Sequence, residues 1–185
     1  RRGALVDIAE LMSDSDRIRV APKEKLPALW RDCFANVGDV LLSQDEQSFR
    51  MALDSTCDAI LALVARDPDL AIFQVLRQDA NEMTRYGVDH SLHAAIFAQL
   101  VARRLGWTDA DQQRAFQAAL TMNISMLELQ GQLAQQLSPI TPEQRAAVQA
   151  HPEFSRRMLE LAGVTDGDWL RAVSEHHETV DGAGY

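Results

Sequence analysis

HPEFSRRMLELAGVTDGDWLRAVSEHHETVDGAGY, residues 151–185, is the stretch on which the reading of this chain turns. It carries three of the five histidines, an adjacent His176-His177 pair followed by Glu178, and a glycine-bounded turn, Asp181-Gly182-Ala183-Gly184-Tyr185. Neighbouring imidazoles at a helix end, with a third 25 residues earlier, suggest a metal pocket in a helical protein.

Working outward, the helical signals multiply. Asp166 or Asp168 opens a last helix, which carries Trp169, Leu170 and Val173 inward and ends at His176-His177. Pro152 and Gly163 are expected to bracket the helix before it, and Thr141-Pro142-Glu143-Gln144 is a strong capping-box signal. Thr108 with Asp111 resembles another capping box, opening a helix to about residue 129. Gly87 breaks the pattern ahead of a long helix over residues 89–105, with Leu92, Ile96 and Leu100 inward and Gly106 closing it.

Further upstream, Asp67-Pro68 ends one helix and residues 70–76 resume another. The longer helix begins near Ser43 and carries Phe49, Leu53, Cys57, Ile60, Leu61 and Val64 as its apolar stripe. Pro27 suits the first turn of a helix through Leu41, with Leu29, Trp30, Phe34 and Val37 on one face. Residues 3–12 read as a short amphipathic helix broken at residues 13–15, and residues 17–21 as a brief strand or an extended linker. The fold class is therefore all-α, a helical bundle with an N-terminal helical extension. The expected division is residues 1–42 as a helical segment or linker and 43–185 as the main domain.

Composition narrows the functions. With 185 residues, 46% of them hydrophobic and 24% charged, the chain has the make-up of a globular protein with a real core. A net charge of −9 argues against a nucleic-acid surface, which needs clustered Lys and Arg. Cys33 and Cys57 lie in apolar helical patterns and read as reduced core thiols, the alternatives being a disulfide or a metal pair. No uninterrupted apolar run is long enough to span a membrane and no signal peptide opens the chain, so the cytosol is the expected location. The start on Arg1-Arg2 and the stop on Gly184-Tyr185 suggest part of a longer protein.

His-His-Glu followed by Asp-Gly-x-Gly-Tyr resembles the signature of the HD-GYP family, helical metal-dependent phosphohydrolases that open the bacterial second messenger cyclic di-GMP. The resemblance is strongest over residues 66–185. His90-Ser91 matches the family's first histidine, His151-Pro152 its later His-Pro, His176, His177 and Glu178 its paired histidines, and Gly184-Tyr185 its name motif. Family members with a third metal carry a carboxylate where Tyr86 stands here. The central motif, resembling Ala-Ala-Leu-x-His-Asp-Ile-Gly-Lys, keeps its frame as Ala118-Ala119-Leu120-Thr121-Met122-Asn123-Ile124-Ser125-Met126 and loses its chemistry. Met122 stands for the histidine, Asn123 for the bridging aspartate and Met126 for a lysine. Two cations ~3.5–4 Å apart repel and need a bridging anion, which a neutral asparagine cannot be; a thioether is a poor ligand for hard cations. No catalytic residue is expected here.

What remains is a residual site of His90, His151, His176 and His177 for a single Zn, Ni or Fe ion, or relics hydrogen-bonded into a pocket wall. His93 reads as structural, and Met122 and Met126 as core filling. Glu178 is a salt-bridging or supporting group in preference to a general base. Glu178 with the loop of Asp181, Gly182, Gly184 and Tyr185 is a candidate for binding a ligand or partner, the loop being otherwise a tight turn. Arg156, Arg157 and Arg171 read as solvated. The resemblance implies a degenerate signalling module, with a cyclic dinucleotide or a cyclic di-GMP-synthesising domain as partner and an oligomer as one of its forms. The rival is a phosphohydrolase with a site rebuilt around the histidines; a purely structural helical module is the third reading.

Overall fold

Ser13 ends its extended stretch by accepting the N–H of Asp16, and a helix, α1 (Asp14–Val20), begins there. The computed structural model describes residues 12–43, 46–77 and 85–185, with the backbone alone at 46 and 47. All but the last residue of the helix expected over residues 3–12 lies outside these. The strand-or-linker reading of residues 17–21 gives way to α1. Its cause is the Ser13 cap with Asp14 and Asp16 in the first turn and Arg17 and Arg19 in the last, a charge order that complements the helix dipole.

A 3-10 turn (Lys23–Lys25) leads into α2 (Leu26–Leu41), where Pro27 occupies the first turn as expected. Next come α3 (Glu46–Arg66) and α4 (Pro68–Leu76), separated by Asp67, whose carboxylate accepts the Leu70 N–H. The long helix α5 (Tyr86–Arg104) contains Gly87 instead of starting after it. A Cβ at Gly87 would meet the Leu127 carbonyl oxygen at 2.4 Å and its Cα at 2.9 Å, so this glycine permits backbone contact with α7 (Leu127–Gln135). Gly106, at φ 73°, closes α5.

The single helix expected from Thr108 to residue 129 is in fact three pieces. These are α6 (Asp109–Thr121), a 3-10 turn (Ile124–Met126) and α7. The break falls on Met122 and Asn123. Thr141 and Gln144 form the reciprocal capping box that opens α8 (Pro142–Leu161). Pro152 lies inside α8 and does not bound it. Finally α9 (Gly167–Ser174) starts on Asp166, which caps the N–H groups of Asp168 and Trp169. It stops two residues short of the paired histidines.

The described residues contain helices and no strand: an all-α, HD-domain-like bundle with an N-terminal helical extension. One hydrophobic core runs through it, from Ile18 and Trp30 by way of Leu53, Leu63, Leu92 and Phe116 to Leu159 and Trp169. Cys33 and Cys57 are reduced and buried within it. Burial, then the Asp14 and Asp32 carboxylates, pushes the Cys33 thiol up to about 11, so it is inert at neutral pH. No described helix is long and apolar enough to cross a membrane.

The face that meets the histidines is built by α6, α8 and α9. Arg114 on α6 grips the Asp166 carboxylate with Nε at 3.0 Å from each oxygen. Trp169 Nε1 donates to Thr121 Oγ1 at 3.0 Å, and Thr121 in turn donates to the Gln117 carbonyl. These bonds anchor the first turn of α9 against α6, and so set the course of the helix that leads to His176.

Candidate metal centre

His151 is buried on α8, His176 is half-buried and His177 is exposed in the turn after α9. One ring nitrogen from each lies within 4.8 Å of the others. Among the described residues no second group of three or more His, Cys, Asp or Glu side chains converges in this way. His151 Nε2 faces His176 Nε2 at 3.0 Å, and the His176 and His177 ring centroids are 4.2 Å apart.

The outer nitrogens decide the chemistry. His151 Nδ1 bonds the Val148 carbonyl, and His176 Nδ1 bonds the Val173 carbonyl at 2.8 Å. A carbonyl oxygen only accepts, so both Nδ1 atoms carry the proton and both Nε2 atoms, in neutral rings, present lone pairs. Two lone pairs facing each other at 3.0 Å repel unless an electron-poor guest lies between them. Two nitrogens bound to one tetrahedral zinc at ~2.0–2.1 Å would be about 3.3 Å apart, close to this separation.

Electrostatics points the same way. Burial pushes His176 down to about 4, with further depression from His177 and His151, against a raising bond to Val173. Burial also lowers His151 and His177. All three rings are therefore neutral at physiological pH, which is the form that binds metal. The cluster can coordinate a single divalent ion such as Zn, Ni or Fe. It offers no carboxylate to bridge a second. Asn123 is buried where the bridging aspartate is expected, its carbonyl accepting the Met126 N–H.

The fourth expected histidine is placed apart. His90 is exposed near the start of α5, outside the converging group, with its ring stacked on Tyr86 at 6.1 Å. His93 rests against Phe34. Met126 is buried, and half-buried Met122 packs against the core.

Glu178 faces the loop. Its Oε1 accepts the N–H groups of Thr179 and Gly184, at 2.8 and 2.7 Å. Asp181 accepts from the Thr179 hydroxyl and the Ala183 N–H. Gly182, at φ 73°, donates to the Thr179 carbonyl. The backbone N–H groups of residues 182–184 are thus committed within the turn and form no open phosphate cradle. A Cβ at Gly184 would lie 2.3 Å from the His177 carbonyl oxygen, so the loop folds tightly back here. Tyr185 stacks on His177 at 4.6 Å and 16°. Arg156 and Arg157 pair with Glu153, and Arg171 with Asp168, all on exposed helix faces.

Several contributors escaped the sequence reading. Ser125, standing where the family has glycine, donates to the His151 carbonyl at 3.0 Å and bonds Ser155 Oγ at 2.9 Å, pinning the broken motif to α8. A groove of about 790 Å³ between α6 and α9 is lined by Trp107, Arg114, Ala118, Met122, Arg171 and His176, among others. It joins the altered motif to the histidine cluster. Two stretches build it, residues 106–122 and 168–176, and their meeting across more than forty residues is a tertiary fact that neither stretch announces alone.

Comparison with known proteins agrees with this geometry. Residues 44–185 match the family model described as HD domain. Over 100 residues the chain is 30% identical to the 3'3'-cGAMP-specific phosphodiesterase 3 of Vibrio cholerae serotype O1. That match covers 54% of this chain and 22% of the relative, so it spans under a quarter of the relative's length. No solved structure matches the chain.

Proposed function

The chain belongs to the HD domain family of the HD-type phosphohydrolase superfamily, and on that premise we propose that it is a signalling module whose catalytic centre has been dismantled. In this reading the domain keeps one metal ion on His151, His176 and His177, and acts by binding a ligand or protein partner. It does not hydrolyse a cyclic dinucleotide.

The observation that carries the proposal is the donor set. Three neutral imidazoles converge, while Met122 and Asn123 occupy the places from which a two-metal centre draws a ligand and its bridging anion. A second cation would face the first with nothing to offset their repulsion. A lone ion, when bound, supplies Lewis acidity at an open coordination position. His151 and His176 would hold it through Nε2, and the loop tyrosine would cover one face of His177.

The groove beside His176 supports a binding role. Its alanine-rich floor would take an apolar or planar group, and Trp107, about half exposed, offers a ring for stacking. A cyclic dinucleotide has such planar groups, and the Vibrio relative's printed name makes that class the first to try.

The test is titration of the zinc-loaded chain with cyclic di-GMP and 3'3'-cGAMP, following tryptophan fluorescence and assaying linear products. Saturable binding without product is expected. Hydrolysis by the unmodified chain, abolished by His176→Ala, would establish the rebuilt enzyme instead.

A further inference from the structure

Helix α8 runs from Pro142 to Leu161 with a proline in its interior, and the residue before that proline is the buried histidine of the cluster. Proline has no N–H, so the carbonyl four residues back loses its helical partner. For Pro152 that carbonyl belongs to Val148. The structure fills the vacancy from one residue away, since His151 Nδ1 bonds the Val148 oxygen.

We propose that Pro152 is a positioning residue that fixes the tautomer of His151. By withholding an N–H from Val148, it leaves a half-buried acceptor that the His151 Nδ1–H takes up. The proton is held on Nδ1, and Nε2 is left as a lone pair aimed at the cluster, 3.0 Å from its counterpart on His176. With any other residue at 152, a backbone N–H would occupy Val148, and the ring proton would be shared or released to Nε2.

His176 reaches the same state by a different route. Its Nδ1 bonds Val173, a carbonyl in the last turn of α9, and such end carbonyls have no intrahelical donor. The helix end frees that acceptor without a special residue. Pro152 reproduces mid-helix, for His151, what the terminus provides for His176. In both rings the accepting carbonyl is three residues before the histidine.

The inference rests on reading the cluster as a metal site, but the tautomer itself is measurable without metal. The experiment uses the full chain labelled with ¹⁵N-histidine at about pH 8, and long-range ring correlations that distinguish protonated from bare nitrogens. In the unmodified protein His151 should show a protonated Nδ1 and a bare Nε2. Pro152→Ala should shift His151 toward a mixture, leave His176 unchanged, and weaken zinc binding about tenfold to a hundredfold.

Proline is the least favoured residue in a helix interior. The zinc-free variant should therefore melt no lower than the parent. Pro152→Gly, which restores the N–H without a side chain, should change the tautomer in the same way. A bare Nδ1 on His151 in the parent, or an unchanged tautomer in both variants, would overturn the proposal. So would parallel losses of stability and zinc affinity with the tautomer intact, the mark of a merely structural proline. Zinc that fails to bind a parent with the expected tautomer would refute the metal reading and leave the role of Pro152 standing.

Discussion

His151 and His176 meet through their Nε2 atoms at 3.0 Å, one from within α8 and the other from the turn after α9, across 25 residues, each with its Nδ1 bonded to a carbonyl three residues earlier. The pair is thus oriented from behind, by main chain, so that both free nitrogens point at one place. Orientation of this kind is what a metal ligand needs from its surroundings.

The first prediction follows from that arrangement. Protein purified without chelator and exposed to zinc should hold one ion per chain by elemental analysis. His176→Ala should weaken binding by more than about a hundredfold, since a ligand is lost and not only its support. A reproducible two ions per chain would mean that some carboxylate bridges them after all.

Acid should release the metal late. Neutral imidazole is the ligating form, so protons compete with the ion. Burial holds His151 and His177 below their ordinary 6.5 and pushes His176 down to about 4. A group with a lowered pKa remains unprotonated, and keeps its ligand capacity, through 6.5. It surrenders that capacity only as the pH falls toward the folded value. Zinc affinity, measured by chelator competition, should be level from about pH 8 to 6.5 and drop between 6.5 and about 4. A decline beginning well above 7 would contradict the burial of these rings.

Gly87→Ala should destabilise the bundle by about 1–3 kcal/mol, the range for overpacking against groups that cannot yield. The added methyl would strike Leu127 backbone at 2.4 Å. Gly38→Ala is the control: there the nearest atom, at 3.0 Å, is the end of the Arg85 side chain. Urea denaturation should separate the two, and equal midpoints would show that α5 and α7 approach less closely than described.

Cyclic dinucleotide hydrolysis with Mg, Mn or Fe should be indistinguishable from background. Loss of a second metal removes a Lewis acid and a source of hydroxide, and every ~1.4 kcal/mol of barrier is a factor of ten in rate. The triple change Met122→His, Asn123→Asp and Met126→Lys is expected to raise metal content and to restore measurable turnover. A triple variant that binds two ions yet stays inert would show that more than these ligands has been lost.

Much of this architecture is legible in the chain. Thr108, Thr141 and Asp166 announce helix starts through side chains that cap nearby N–H groups, a local effect visible in local sequence. His151, His176 and His177 are brought together as their order and the family resemblance imply. What sequence hides is non-local. Gly87 reads as a breaker because its partner, the Leu127 backbone, is 40 residues away. Pro152 reads as a boundary because proline costs a helix a hydrogen bond, and only the structure reveals that a histidine takes up the freed acceptor. The short helix α1 reads as extended because Arg17-Ile18-Arg19-Val20 alternates charged and β-branched residues, a pattern that fits a strand equally well.

Arg66, at the C-terminal end of α3, sends its guanidinium to the carbonyls of Ile18, Arg19 and Ala21 at the end of α1, where Ile18 also accepts the Ala21 N–H. A seven-residue helix has too few turns to persist in water alone, because nucleation outweighs what so short a run returns. The helicity of α1 is therefore on loan from α3. Calorimetry of the chain should show a single cooperative endotherm in which both melt together. Arg66→Ala should split off an early, low-enthalpy shoulder as the N-terminal helix frays first.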